Sequence, residues 1–254
     1  MTTPSSPRTT PDTTQPAPLP ADVLAALLAS DPAGPRLTWY DDEPGPTAGE
    51  RIELSARVLA NWVAKAANLL QDDSDAGPGT TVGLDLPAHW RSVYWALATW
   101  SAGATVVTGP AARSADVLVT DSPAAAAEHG GDAVLVTLAA LARTHPRATE
   151  APAAVDEARE LATHGDRFVP MADAERHDVA LATDAGDTAY GELVVVETAD
   201  AVAPRVALRG SLEHVLRQCL AVWAQDGSVV LQRGTSPTDA ARLTSESVTL
   251  DRRD

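Results

Sequence analysis

The chain has 254 residues, with 35 acidic against 19 basic side chains and a formal net charge of −16, and 44% of its residues are hydrophobic. This composition excludes a wholly disordered chain, and the negative charge makes nucleic acids and anionic membranes poor partners because like charges repel. The single cysteine, Cys219, excludes an intrachain disulfide and favours a reducing, cytoplasmic location.

The N-terminal residues 1–20 are rich in Thr, Ser and Pro and predict a disordered tail. They lack the basic-then-apolar order of a secretory signal. The longest apolar stretch, around Val93–Val107, is interrupted by polar residues and glycine and is too short to span a bilayer. We therefore expect no membrane association.

The first elements are predicted in the order helix, hairpin, long helix. Asp22 is placed to cap a short helix over Val23–Leu28. Strands over Leu37–Tyr40 and Arg51–Leu54 flank a turn rich in Gly and Pro, which predicts a β-hairpin. Ser55 then caps a helix over residues 55–70, whose apolar side chains recur at helical spacing.

Strands and helices alternate after this point. The predicted strands are Val82–Leu86, Ala104–Thr108, Val117–Thr120 and Val134–Thr137, and the predicted helices are His89–Ala102 and Pro123–Glu128. Such alternation indicates βαβ units and a parallel sheet covered on both faces.

A domain boundary is predicted at Arg143–Pro152, where the apolar periodicity stops and prolines interrupt. The second half again alternates between strands and helices. The predicted strands are Val179–Thr183, Leu193–Val196, Val206–Leu208, Ser228–Leu231 and Val248–Leu250, with a polar loop at Asp184–Gly191. The predicted helices are Val155–Ala162, Leu212–Trp223 (capped by Ser211) and Thr238–Leu243. We expect an α/β fold of αβα layers, with one subdomain over residues 21–145 and a second over residues 153–254.

The segment GPGTTVGLDLPAHWRSVYWALATWSAGATVV, followed by ADVLVTD, combines a Gly/Val strand, a Pro-led turn and a helix ending in Gly-Ala. With the preceding hairpin and long helix, this order resembles the opening subdomain of AMP-forming acyl-CoA synthetases and related adenylate-forming ligases. The resemblance covers about residues 36–140. It implies the parallel-sheet layers of the N-terminal subdomains of these ligases, with a related second αβα subdomain that is truncated relative to the full enzymes.

In such ligases the next strand enters a Ser/Thr/Gly-rich loop with a lysine that binds the phosphates of ATP. The matching positions here are Thr183, Asp184, Gly186, Asp187 and Thr188. Phosphate transfer chemistry needs hydrogen-bond donors and positive charge, whereas two carboxylates would repel phosphate. The resemblance therefore implies a degenerate phosphate loop and an incomplete catalytic site.

Two basic residues, Lys65 and Arg205, are candidates to replace the missing lysine. Lys65, the only lysine, lies on a helix far away in sequence and is predicted to sit on a solvated face. Arg205 could hold a phosphate, although no glycine-rich loop accompanies it.

Other chemistry has little support. The sequence has no GxGxxG, GxxxxGK[ST], GxSxG, HExxH or CxxC motif, so no cofactor or metal is expected. Two histidines precede carboxylates, in His164-Gly165-Asp166 and His177-Asp178. Tryptophans 90, 95 and 100 fan around their helix, so we expect at least one to face outward or to meet another surface, which suggests a protein partner or self-association.

Three functions remain open at this stage. The first is a non-catalytic acyl-CoA synthetase-like protein with residual binding of a nucleotide or acyl group. The second is a protein-interaction or dimerisation module with no small-molecule ligand. The third is an enzyme of unrecognised type that uses one of the Asp/His pairs.

Overall fold

A computed structural model describes residues 16–196 and 203–253. The helices are α1 (Pro20–Ser30), α2 (Ala56–Ser74), α3 (Trp90–Ser101), α4 (Pro123–Glu128), α5 (Glu157–Glu160), α6 (Tyr190–Leu193), α7 (Leu212–Trp223) and α8 (Asp239–Ser245). The strands are β1 (Pro35–Asp41), β2 (Arg51–Ser55), β3 (Thr81–Asp85), β4 (Thr105–Val107), β5 (Val117–Thr120), β6 (Asp132–Leu135), β7 (Val155–Asp156), β8 (Val179–Thr183), β9 (Gly186–Ala189), β10 (Arg205–Arg209), β11 (Ser228–Arg233) and β12 (Leu250–Arg253).

Over the described residues the strands form two sheets. The smaller sheet has the order β12-β10-β11-β1-β2, and the larger has the order β7-β6-β5-β3-β4-β8-β9. Parallel pairing predominates, and the antiparallel pairs are the predicted hairpin β1–β2 and the outer pair β8–β9. The protein is therefore α/β, as the sequence predicts.

The larger sheet is covered on both faces because its side chains alternate between two clusters. Val117 and Val119 of β5 belong to the main core, whereas Leu118 packs with Ala125 and Ala126 of α4 in a separate cluster. On the main-core face, α3 packs on β3 and β4. The near-continuous apolar runs of these strands follow from burial on both faces.

Helices α1, α2, α3 and α7 pack on one another between the two sheets. The central helix α3 is consequently enclosed, and Trp90, Trp95 and Trp100 are 3%, 0% and 4% exposed. The prediction that one of these tryptophans faces outward is wrong, because a helix placed between two sheets buries every face. The interface that this prediction suggested has no basis in these side chains.

Capping accounts for where the principal helices begin. Ser55 accepts a hydrogen bond from Val58 N–H at the start of α2, and Ser211 accepts one from His214 N–H at the start of α7, as predicted. Helix α1 differs from the prediction because it begins at Pro20. Asp22 therefore lies in its first turn, where its carboxylate accepts the Leu19 N–H at 2.9 Å.

Helix α8 has no buried residue within the described chain and is held on the smaller sheet by charge. Its Arg242 pairs with Asp42 after β1, and Glu246, which follows the helix, pairs with Arg205 of β10 at 2.5 Å and with Arg51 of β2 at 3.0 Å. Polar contacts thus replace the apolar packing that holds the other helices.

Several predicted bounds need correction. Residues 193–196 are not a strand, because Tyr190–Leu193 form a helical turn and no regular element follows to residue 196. The predicted helix over residues 155–162 begins as strand β7, which extends the larger sheet. The predicted strands at residues 134–137 and 248–250 lie at Asp132–Leu135 and Leu250–Arg253.

The two sheets do not follow the predicted division between residues 145 and 153, because each contains strands from both sides of it. β7–β9 join the larger sheet, and the first hairpin joins the smaller sheet beside β11. Of the predicted tail, residues 1–15 lie outside the described residues, and Pro20 is already helical. Among the described helices, none combines the length and apolarity needed to cross a membrane.

Candidate functional site

The predicted phosphate-loop residues form a tight hairpin rather than the predicted polar loop. Thr183 pairs with Gly186, and Ala182 pairs with Asp187, so only residues 184 and 185 make the turn. The Thr183 hydroxyl accepts the Ala185 N–H at 3.1 Å and donates to the Gly186 carbonyl at 3.0 Å. Asp184 and Asp187 are both exposed, whereas Thr188 is half-buried.

The turn borders a crevice at the carboxyl ends of β3 and β4, the edge where open α/β sheets bind ligands. The crevice has a volume of about 440 Å³ and is lined by Leu84, Asp85, Leu86, Gly109, Pro110, Arg113 and Leu212. The Asp184 carboxylate lies against Gly109, because a Cβ at Gly109 would be 3.1 Å from Asp184 Oδ2. The hairpin therefore directs a carboxylate at the crevice wall.

The wall of the crevice carries one ion pair. Arg113 Nε donates to Asp85 Oδ2 at 3.0 Å, and the same oxygen accepts the Thr120 hydroxyl at 2.9 Å. Burial raises the pKa of the neighbouring Asp121, and the charge of Asp85 adds to the increase. The Arg113 side chain remains 58% exposed, which leaves its guanidinium accessible from solvent.

One cationic side chain that sequence reasoning missed reaches the hairpin. Arg217 of α7 donates from Nη2 to the Thr188 hydroxyl at 2.9 Å and from Nε to Glu213 at 3.0 Å. Its partner Glu213 stands four residues earlier on the helix, so the arginine is already neutralised. In the sequence, only its position on the polar face of α7, four residues after Glu213, could have marked this residue.

The two basic residues considered as lysine replacements lie elsewhere. Arg205 is occupied by Glu246 on the smaller sheet. Lys65 is not a solvated residue as predicted: its Nζ donates to the His164 carbonyl at 2.6 Å and pairs with Asp166 at 2.7 Å. Neither contributes to the hairpin.

The histidine–carboxylate pairs do not form a catalytic arrangement. His164 lies 3.6 Å from Asp73, while Asp166 is paired with Lys65. His177 is 81% exposed and lies 3.9 Å from Asp178. Across the part of the chain that the structure describes, no three His, Cys, Asp or Glu residues are grouped to hold a metal ion.

A strongly perturbed carboxyl lies away from the crevice, against helix α3. Glu157 is 1% exposed, accepts a hydrogen bond from Tyr94 and pairs with Arg91 at 3.2 Å. Burial raises the pKa of Glu157 to about 7, and the nearby Arg91 opposes part of that increase. Since it is sealed inside the core, we assign this carboxyl a structural role.

No family model matches the chain. A Mycobacterium tuberculosis (strain ATCC 25618 / H37Rv) protein, described as a "TIGR03089 family protein", is 38% identical over 164 residues, which cover 62% of this chain and 65% of that protein.

The solved structures show the fold. A Brucella canis acyl-CoA synthetase matches with a TM-score of 0.71 and 15% identity, over 96% of this chain and 48% of that chain. The Klebsiella oxytoca NpsA N-terminal subdomain in complex with 3-hydroxyanthranilyl-AMSN matches with a TM-score of 0.65 and 14% identity, over 96% of this chain and 62% of that chain. The chain has the fold of the N-terminal subdomains of adenylate-forming ligases and spans about half the length of the acyl-CoA synthetase.

Proposed function

We propose that this chain is an acyl-CoA synthetase-like protein that forms no adenylate and retains binding of a small acyl carboxylate in the crevice. The observation that carries the proposal is the hairpin at residues 183–188, which presents Asp184 to Gly109 where the related fold would bind phosphate. On this proposal the chain still binds an acyl carboxylate but does not react it with ATP.

Electrostatics and geometry both support the loss of ATP binding. A triphosphate brings several negative charges, and at 4 Å each carboxylate would repel each charge by about 1 kcal/mol even in bulk water. The turn contains no cationic side chain, and the arginine that reaches the hairpin, Arg217, is paired with Glu213. The two-residue turn also leaves no extended run of backbone N–H groups to surround a phosphate.

The crevice suits an acyl group better than a phosphate. Leu86, Pro110 and Leu212 supply apolar wall. Arg113 Nε is held by Asp85, but its side chain is 58% exposed, so Nη1 and Nη2 can donate two parallel hydrogen bonds to a single carboxylate. Asp184 repels that single charge less than it repels a triphosphate. Its volume of about 440 Å³ lies within the range of small-molecule sites.

The test compares ATP–Mg²⁺, AMP and butyrate at millimolar concentration by thermal unfolding, together with pyrophosphate release. We expect butyrate to stabilise the protein by about 1.4 kcal/mol at ten times its Kd, ATP–Mg²⁺ to give no shift, and no pyrophosphate to appear. An Arg113→Gln variant should lose the butyrate effect, and Arg159→Gln, at an exposed arginine outside the crevice, should retain it.

A charge-reversal variant isolates the role of the hairpin. Asp184→Lys/Asp187→Lys should gain measurable stabilisation by ATP–Mg²⁺, whereas the same change in charge at the exposed Asp72 and Asp132 should not. Stabilisation of the unmodified protein by ATP–Mg²⁺, or release of pyrophosphate, would contradict the loss of adenylation. Absence of any butyrate effect would remove the acyl-binding half alone.

A second candidate is the interaction module. Val169 and Met171 are 78% and 75% exposed on a segment that is held in place along α2, and exposed apolar side chains on an ordered segment favour a partner. Light scattering of the chain and of a Val169→Glu/Met171→Glu variant tests it, since self-association should disappear in the variant. A monomer in both cases would leave this candidate without support.

A further inference from the structure

A second cavity lies at the opposite end of β4 from the crevice. It has a volume of about 610 Å³ and sits beside the residues that precede β4, between α1, α2 and the segment after residue 165. Its wall is largely apolar and includes Leu24, Leu28, Val63, Trp100 and Phe168. A volume in this range with such a wall is typical of a small-molecule site.

One wall of this cavity is fixed by side chains of α2. Asn68 Nδ2 donates to the carbonyls of Gly165 and Arg167, both at 2.9 Å, and Gln71 accepts the Met171 N–H at 2.9 Å. Lys65 donates to the His164 carbonyl at 2.6 Å. These side chains hydrogen-bond to the backbone of the segment over residues 164–171 and hold it in place. The cavity wall that this segment forms is therefore present without a ligand.

The charged residues among those that line the cavity are all acidic. Asp22, Asp166 and Asp173 line it, and no lysine, arginine or histidine is among the lining residues that the structure describes. Lys65 pairs with Asp166 from outside the lining, which leaves Asp22 and Asp173 as exposed lining carboxylates with no basic partner among the lining residues. An apolar cavity with an acidic rim complements an apolar body that carries a positive charge, and it repels a carboxylate of the same shape.

We propose that this cavity binds a small molecule with an apolar chain or ring and a protonated amine, with the amine at Asp22 and Asp173 and the apolar part against Leu24, Val63 and Trp100. The site is separate from the crevice, and the proposal does not depend on acyl binding there. It predicts a preference for cations, whereas the ligand proposed for the crevice is a carboxylate.

The test uses decylammonium and decanoate, which share a chain and differ in charge, with binding followed by calorimetry and tryptophan fluorescence. We expect decylammonium to bind, and Ala60→Phe, which projects a ring from the cavity wall, to remove that binding. Ala26→Phe on the exposed face of α1, outside the lining, is the matched control and should bind normally. Decanoate should not bind in this cavity, so any decanoate binding elsewhere should be unchanged by Ala60→Phe.

The charge requirement is tested separately by substitutions that do not threaten folding. Asp173→Asn should weaken decylammonium binding by about twofold to fivefold, as for an exposed ion pair, and Asp72→Asn on α2 should leave it unchanged. The proposal is overturned if decylammonium binds equally to Ala60→Phe, if decanoate competes with it, or if neither probe binds. A dimer in light scattering that Ala60→Phe dissociates would instead assign the cavity to a second copy of the chain.

Discussion

Asp184 Oδ2 lies 3.1 Å from the position that a Cβ on residue 109 would occupy, so the carboxylate approaches Gly109 where a larger side chain would crowd it. Gly109 also has φ of +74° with ψ of −162°, a region essentially confined to glycine, where another residue is strained by about 1–3 kcal/mol. The contact couples the hairpin to the loop after β4, so that one glycine lets the carboxylate approach the crevice.

Replacing Gly109 should separate these two effects. Gly109→Ala should lower the free energy of unfolding by about 2–4 kcal/mol in urea denaturation, from backbone strain and crowding by Asp184 together. Gly49→Ala is the control, because Gly49 has φ of +84° with nothing within 4 Å, and it should show the backbone effect alone. Equal losses at both sites would mean that Asp184 does not press on residue 109.

Glu157 should make stability depend on pH. Its pKa is raised to about 7 from a usual value of 4.5, so the folded state holds the proton more tightly than the unfolded state. The stabilisation is fully present below about pH 4.5 and is lost as the pH rises through 7. Between pH 5 and 8 the free energy of unfolding should fall by about 2–3 kcal/mol more in the unmodified protein than in Glu157→Gln. Parallel pH curves for the two proteins would contradict this expectation.

The ion pairs of Glu246 should hold α8 and β12 on the smaller sheet. Glu246→Ala removes the partner of Arg205 and Arg51, and we expect faster amide hydrogen exchange in α8 and β12, by an amount equivalent to about 2 kcal/mol, with α7 unchanged. Glu175→Ala, at an exposed position near His177, is the control. If exchange rises throughout the chain, the ion pairs contribute to global rather than local stability.

Lys65 should determine how firmly the segment over residues 164–171 is held. Lys65→Met removes its hydrogen bond to His164 and its ion pair with Asp166, so local opening should become easier by about 1–2 kcal/mol. Trypsin cleavage after Arg167 then accelerates by about five- to thirtyfold. Cleavage at an unchanged rate would show that Asn68 and Gln71 are sufficient to hold the segment.

Local patterns predicted the elements well. The strand Val179–Thr183, the helix Pro123–Glu128 and the Ser55 and Ser211 caps are as the sequence indicates. Each of them depends on neighbours within a few residues, where periodicity and capping act. Resemblance to adenylate-forming ligases supplied the layer order that periodicity cannot give, and the solved structures confirm that fold.

Features that depend on distant residues could not be predicted. Gly109 and Asp184 are separated by 75 positions, and Lys65 meets His164 across 99 positions. The polar run after Thr183 carries no alternation of apolar residues, so it indicated a loop where β9 pairs with β8 at the sheet edge. The predicted boundary at residues 143–152 reflects a local change in composition. Strand pairing depends on distant residues, and the strands on either side of this boundary, β6 and β7, belong to the same sheet.

The pairing of β1 with β11 has a consequence for how the chain is made. Leu37 and Trp39 lie next to Val229 and Leu231, which leave the ribosome about 190 residues later. During synthesis the first hairpin therefore keeps an unpaired edge and two large exposed apolar side chains until β11 emerges, after all the strands of the larger sheet. Contacts this distant in sequence make folding slow, so the nascent chain is most vulnerable to aggregation before β11 is complete, and a truncation between β9 and β11 leaves that hairpin permanently without its neighbour.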